Sequence, residues 1–135
     1  MYLLDTNILS ELMKKNPNPR MFSRLREKPV HSLFTSCVCV SELRFGCSLR
    51  ADFNEFWSRI NKEIIARINI VALGQNEAVL AGDILAQLSN KGGAAGMDDI
   101  LVAACALANQ LTMVTDQVER YSGIKGLAVE NWLVP

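Results

Sequence analysis

The chain has 135 residues, half of them hydrophobic and 21% charged, which suits one compact domain with a real apolar core. Fourteen Lys and Arg balance fourteen Asp and Glu, so the formal net charge is zero and bulk charge does not mark a protein that coats nucleic acid. No apolar run is long enough to span a membrane and the N-terminus lacks a signal-peptide pattern, so a cytoplasmic, membrane-free location is expected.

In chain order, "YLL" is a short apolar run that stops at Asp5, the pattern of a buried strand leaving its sheet. A helix is expected over Ile8–Lys15, capped by Thr6 or Asn7, and "NPNP" at Asn16–Pro19 ends it because proline has no amide donor. A second short helix runs to about Lys28. The segment from Lys14 to Lys28 carries Lys14, Lys15, Arg20, Arg24, Arg26 and Lys28 against Glu27 alone. That is a solvated helix face, or a phosphate-contacting arm. "HSLFTS" is the second strand candidate, followed by the helical stretch "VSELRFGCSL".

Asp52 is placed to cap a helix in which Phe53, Phe56, Trp57, Ile60, Ile64 and Ile68 recur at helical spacing, so these aromatics are expected in the core. "INIVAL" is a third strand, and "NEAVLAGDILAQLSN" another amphipathic helix. "KGGAAG" is a glycine-rich loop without the ending of a phosphate-cradling P-loop. "DDILVAACALANQ" is apolar nearly all round, hence a buried helix with Asp98 as a natural cap; "LTMVT" and "GLAV" supply the last two strands. Alternating strands and helices predict an α/β fold, a three-layer α/β/α sandwich over 1–135 with a mostly parallel central sheet of about five strands.

Chemistry is narrowed by what is scarce. His31 is the single histidine, and Cys37, Cys39, Cys47 and Cys105 form no C-x-x-C pair, so zinc clusters and thiol–imidazole catalysis have little support. If the second strand extends that far, Cys37 and Cys39 share one of its faces. Acids, by contrast, interrupt apolar sequence at Asp5, Glu42, Asp98–Asp99 and Asp116. Each has an ordinary structural role open to it, as a cap, a solvated helix acid or a turn former. Gathered at one sheet edge they would repel, by on the order of 4 kcal/mol for two carboxylates ~4 Å apart at an effective dielectric near 20. A hard divalent cation, Mg²⁺ or Mn²⁺, removes that repulsion and suits phosphodiester hydrolysis.

"LLDTNILSEL", "SELRFG", "GMDDILVAACAL" and "MVTDQVERY", in this order over nearly the whole chain, together with the closing "GLAVENWL" and its Trp132, resemble the PIN-domain ribonucleases, and specifically VapC-type toxins of bacterial toxin–antitoxin pairs. The resemblance implies a PIN-like fold and metal ligands at Asp5, Glu42 and Asp99, choosing Asp99 over Asp98. Its fourth position falls on Gln117, so it implies Asp116 as fourth acid with Glu119 as the alternative. It further implies a metal-dependent endoribonuclease acting on structured or translation-related RNA such as tRNA, a VapB-type antitoxin and a homodimer. Thr6 and Asn7 would position water or the metal shell, and Lys14, Lys15 and Arg24 would steer the RNA backbone. Leu12, Met13, Met21, Phe22 and Leu25 would line the antitoxin contact or belong to the core. Two rival readings follow from the same residues. One is a catalytically weakened PIN-fold module that binds nucleic acid or a partner. The other is a haloacid-dehalogenase-like phosphatase, disfavoured because Asn7 stands where a second aspartate is needed.

Overall fold

The structure is a computed structural model that describes residues 1–89 and 96–135. The "KGGAAG" loop expected from the sequence lies almost wholly outside the described residues. Among the described residues, five strands form one sheet: β1 (Tyr2–Leu4), β2 (Leu33–Ser36), β3 (Asn69–Val71), β4 (Thr112–Val114) and β5 (Val129–Glu130), in the order β3-β2-β1-β4-β5. Every pairing is parallel. The α-helices of the described residues are α1 (Thr6–Leu12), α2 (Pro19–Glu27), α3 (Cys37–Ser48), α4 (Phe53–Ile60), which runs on into a π-helical turn at Asn61–Ile65, α5 (Gln75–Ser89) and α6 (Met97–Ala108). None is long and apolar enough to cross a membrane.

Neighbouring residues of a strand point to opposite faces of the sheet. In β1 both Leu3 and Leu4 are fully buried, and in β4 both Met113 and Val114 are. Both faces are therefore covered, which makes the three layers the sequence predicts and explains why these strands read as unbroken apolar runs. Behind β4, Trp132 is buried edge-on to Tyr2, with ring centroids 5.1 Å apart.

The strand order carries the functional consequence. From β1 the chain moves outward through β2 to β3, then returns to place β4 on the other flank of β1. Crossovers thus leave β1 and β4 in opposite directions, and a crevice opens outside their carboxyl ends. Asp5 is the first residue past β1; Thr115 and Asp116 are the first past β4. The Asp5 amide donates to the Val114 carbonyl at 3.0 Å, which ties the two exits together.

Several local expectations are corrected. α1 begins at Thr6 because Asp5, not Thr6 or Asn7, is its N-cap, and it ends at Leu12, before the lysines. α6 is capped by Gly96, so both Asp98 and Asp99 lie inside its first turn. Asp52 caps α4 by position only: its carboxylate turns to Arg50 at 2.8 Å. Phe53 is exposed, and Phe56 and Trp57 are half-buried under guanidinium groups, Arg50 lying 3.8 Å from the Phe56 ring centre and Arg44 4.7 Å from that of Trp57. Core burial in this stretch falls instead on Ile60 and Ile64. Cys37 opens α3 and so shares no strand face with Cys39, and all four cysteines are free.

Candidate active site

Three helix starts meet at the crevice, two of them directly after strands. β1 passes directly into α1 through Asp5, whose carboxylate accepts from the Thr6 amide at 2.8 Å. β2 passes directly into α3, where the Ser36 hydroxyl accepts from the Cys39 amide at 3.1 Å and Glu42 follows two turns in. α6 starts with Asp98 and Asp99, the latter accepting from the Gly96 amide at 3.4 Å. Helix N-termini favour nearby carboxylates, so the backbone partly offsets the crowding of negative charge.

The resulting cleft, of about 470 Å³, is lined by Asp5, Thr6, Asn7, Ser10, Glu42, Asp98, Asp99 and Asp116 among others. Asp5 is its floor, 6% exposed. The Thr115 hydroxyl donates to Asp5 Oδ2 at 2.9 Å, and the Cys39 thiol lies beneath, 3.9 Å from Oδ1. The Tyr121 hydroxyl reaches both Asp99 Oδ1, at 3.0 Å, and Asp5 Oδ2, at 3.4 Å. A phenol has one proton, so the shorter contact is the hydrogen bond and Asp5 keeps the longer, electrostatic one. Arg120 Nη1 donates to Asp99 Oδ2 at 3.2 Å. On the opposite wall the Thr6 hydroxyl donates to Glu42 Oε1 at 2.7 Å. At the rim, Asn7 Nδ2 donates to the carboxylate of Asp116 and to Thr115 Oγ1, the latter at 3.3 Å.

Burial sets the electrostatics. It pushes the Asp5 carboxyl above the usual carboxylate range, and the charge of Asp99 adds to the rise against the bonds from Thr6, Thr115 and Tyr121. Burial likewise raises Glu42, with the carboxylate of Asp98 adding to it and the Thr6 hydroxyl opposing. The phenol of Tyr121 is raised by burial and then by Asp5 and Asp99, so it stays protonated and a donor.

The sequence-predicted acids therefore converge: Asp5, Glu42, Asp99 and Asp116 line one cleft with Thr6, Asn7 and Lys14. Asp98, expected to be structural, lines it too and faces Glu42. Lys15 lines the adjoining cavity, while Arg24 borders a separate hollow with Pro19 and Val134. Glu119 is exposed on the 3₁₀ turn Val118–Arg120 and is not among the cleft's lining residues. Thr115, Arg120 and Tyr121 were not singled out as site residues from sequence; their signal was a place within "MVTDQVERY", just after a strand end.

The donor set suits a hard divalent ion, being carboxylate and amide oxygens with room for water. Asn7 Oδ1 is buried with no hydrogen-bond partner among the described residues, an acceptor oxygen left open in this polar crevice. Among the described residues no three acids already stand together as a closed metal site. Their oxygens are instead engaged by Thr6, Thr115, Tyr121 and Arg120, so binding an ion would exchange some of these bonds.

Comparisons with known proteins agree with this geometry. The chain is 28% identical over 132 residues to Ribonuclease VapC2 of Haemophilus influenzae, covering 98% of each chain. It is 28% identical over 138 residues to the tRNA(fMet)-specific endonuclease VapC of Salmonella typhimurium, covering 97% of each. The solved structure of VapBC2 from Rickettsia felis bound to a DNA fragment from its promoter matches with a TM-score of 0.86 and 25% identity, over 97% of this chain and 98% of that one. The family model for the PIN domain matches residues 2–117, and the chain accordingly belongs to the PIN-domain family, of the VapC type.

Proposed function

We propose that this protein is a metal-dependent endoribonuclease toxin that cleaves RNA phosphodiesters, tRNA among the candidate substrates, and is inhibited by a VapB-type antitoxin. The observation that carries the reading is the convergence of Asp5, Glu42 and Asp99, acids carried near the starts of three separate helices, α1, α3 and α6, on the crevice between the β1 and β4 exits. The ribonuclease and endonuclease names of its relatives support it. So does a second cavity, of about 530 Å³, which shares Ser10, Lys14 and Glu42 with the cleft and carries Lys15, Arg50 and Arg59. Its cations give a phosphate backbone a path to the acids.

Asp5, Glu42 and Asp99 would hold Mg²⁺ or Mn²⁺, with Asp116 as a rim ligand. When bound, such an ion supplies Lewis-acid stabilisation of phosphate charge and activation of a water. The chain's own residues do the positioning. Thr115 and the Thr6 amide fix the rotamer of Asp5, Tyr121 fixes that of Asp99, and the Thr6 hydroxyl aims Glu42 inward. The bond from Asn7 to Asp116 ties the two rim side chains together. The low dielectric around Asp5 strengthens each of these interactions.

The antitoxin reading is supported by similar solved structures, which are VapBC and FitAB toxin–antitoxin complexes. An apolar groove of about 260 Å³, lined by Leu12, Phe22, Leu25, Val30 and Ile68, gives a partner segment a place to bind. Leu12, Phe22 and Leu25 are thus available to it, whereas Met13 and Met21 are buried core. A homodimer belongs to the same reading, with Phe45 and Leu49 as exposed apolar side chains on and after α3.

Purified protein incubated with RNA and Mg²⁺ is expected to produce discrete cuts that stop on chelation and vanish in Asp5→Asn and Asp99→Asn variants that remain folded. Cutting that survives both chelator and substitution would overturn the reading. Absence of metal-dependent turnover on any RNA would favour the non-catalytic binding module instead.

A further inference from the structure

Among the described residues, six carboxylates line the cleft, Asp5, Glu11, Glu42, Asp98, Asp99 and Asp116, against two cations, Lys14 and Arg120. Lys14 is engaged by Glu11 at 3.0 Å. Arg120 faces the central acids, its Nη1 donating to Asp99 Oδ2 at 3.2 Å. The next residue, Tyr121, donates to the other oxygen of the same carboxylate. One short segment after β4 thus engages both oxygens of Asp99. The two bonds differ in how readily they exchange. Tyr121 is fully buried and cannot leave without opening the core. The Arg120 side chain is 43% exposed on a long flexible stem, and an exposed ion pair of this kind is weak.

We propose that Arg120 is a built-in, displaceable counter-cation for the cleft. It neutralises Asp99 in the metal-free protein and swings toward solvent when a divalent cation takes Oδ2. Arg120 thereby sets the metal concentration at which the cleft loads. The inference rests on the metal-dependent reading of this cleft and adds a competitor for one of its ligand oxygens. A guanidinium and a divalent ion repel each other, so sharing one carboxylate oxygen is disfavoured and each weakens the other's hold on it. Tyr121 keeps Asp99 aimed at the cleft throughout the exchange.

The test is a Mn²⁺ titration of the RNA-free protein, with free Mn²⁺ followed by electron paramagnetic resonance. Its samples are wild type, Arg120→Gln, Arg120→Met, Arg120→Lys and Asp99→Asn, each checked for folding by circular dichroism. Removing the charge is expected to tighten Mn²⁺ binding by on the order of fivefold, the scale of one exposed ion pair. Arg120→Lys, which keeps the charge, should stay nearer to wild type. The gain should disappear when Asp99→Asn is combined with Arg120→Gln. Equal or weaker Mn²⁺ binding in both uncharged variants, alongside weakened binding in Asp99→Asn, overturns the inference and leaves the metal-dependent reading standing. Failure of wild type and both uncharged variants to bind Mn²⁺ at all overturns both.

Discussion

The floor and the rim of the cleft are built on different principles. At the floor, Asp5 is nearly inaccessible and held by Thr6, Thr115 and Tyr121, the last fully buried. At the rim, Asp116 and Arg120 are exposed and make contacts that water can replace. Rigid placement of an acid requires burial, and burial penalises its charge. The floor therefore gains position at the expense of stability, and the rim gains adaptability at the expense of position. Functional sites commonly hold this tension, because groups tuned for chemistry are not those that stabilise the fold best.

The strongest way to break this contrast is at the floor. Asp5→Asn should lower RNA cleavage by more than about 100-fold, the scale lost when a central electrostatic group is removed. Thermal stability of the metal-free protein should hold or rise, since a buried like charge near Asp99 is gone. A kinetic assay paired with a thermal melt checks both. Tyr121→Phe comes next. Loss of a buried hydroxyl that donates to Asp99 should cost about 1–3 kcal/mol of stability by denaturant titration.

The pH dependence sharpens the same comparison. Asp5 and Glu42 are both raised by burial, so the native state binds protons more readily than the unfolded chain. The stability linked to them is present at acid pH near the ordinary carboxylate range and is lost as pH rises through the raised values. Metal-free protein should therefore lose melting temperature as pH rises from the ordinary carboxylate range, and Asp5→Asn should flatten that slope. At the rim, Asp116→Ala should reduce cleavage only about threefold to tenfold, by releasing Asn7 and one outer ligand. The smallest effect is expected at Glu119→Ala, which should leave cleavage unchanged because that side chain lies outside the cleft lining.

What could be read from sequence divides along similar lines. Asp5 and Asp116 were legible because each follows an apolar strand, and the Asp98–Asp99 pair because it opens a helix apolar almost all round, the choice of Asp99 coming from the family resemblance alone. The three layers followed from alternating strands and helices. The supports of the site were not legible. Thr115 lies 110 residues from Asp5 and Tyr121 116 residues, and their contact depends on β4 returning to the flank of β1. No local periodicity encodes that return. Capping misled for a related reason. Asp98 has the right chemistry for an N-cap, yet Gly96 takes the position and leaves both aspartates in the first turn of α6, facing the cleft. Helical spacing also placed Phe53 in the core, but the residue opens α4 where the helix end meets solvent.

The central claim is that acids from separate junctions share one cation at the mouth of β1 and β4. Anomalous diffraction from crystals soaked in Mn²⁺ tests it most directly. The account predicts a manganese peak in the cleft at coordination distance, about 2.0–2.3 Å, from oxygens of both Asp5 and Asp99. A cleft free of anomalous density at saturating Mn²⁺, or a peak bound elsewhere on the surface, would contradict it.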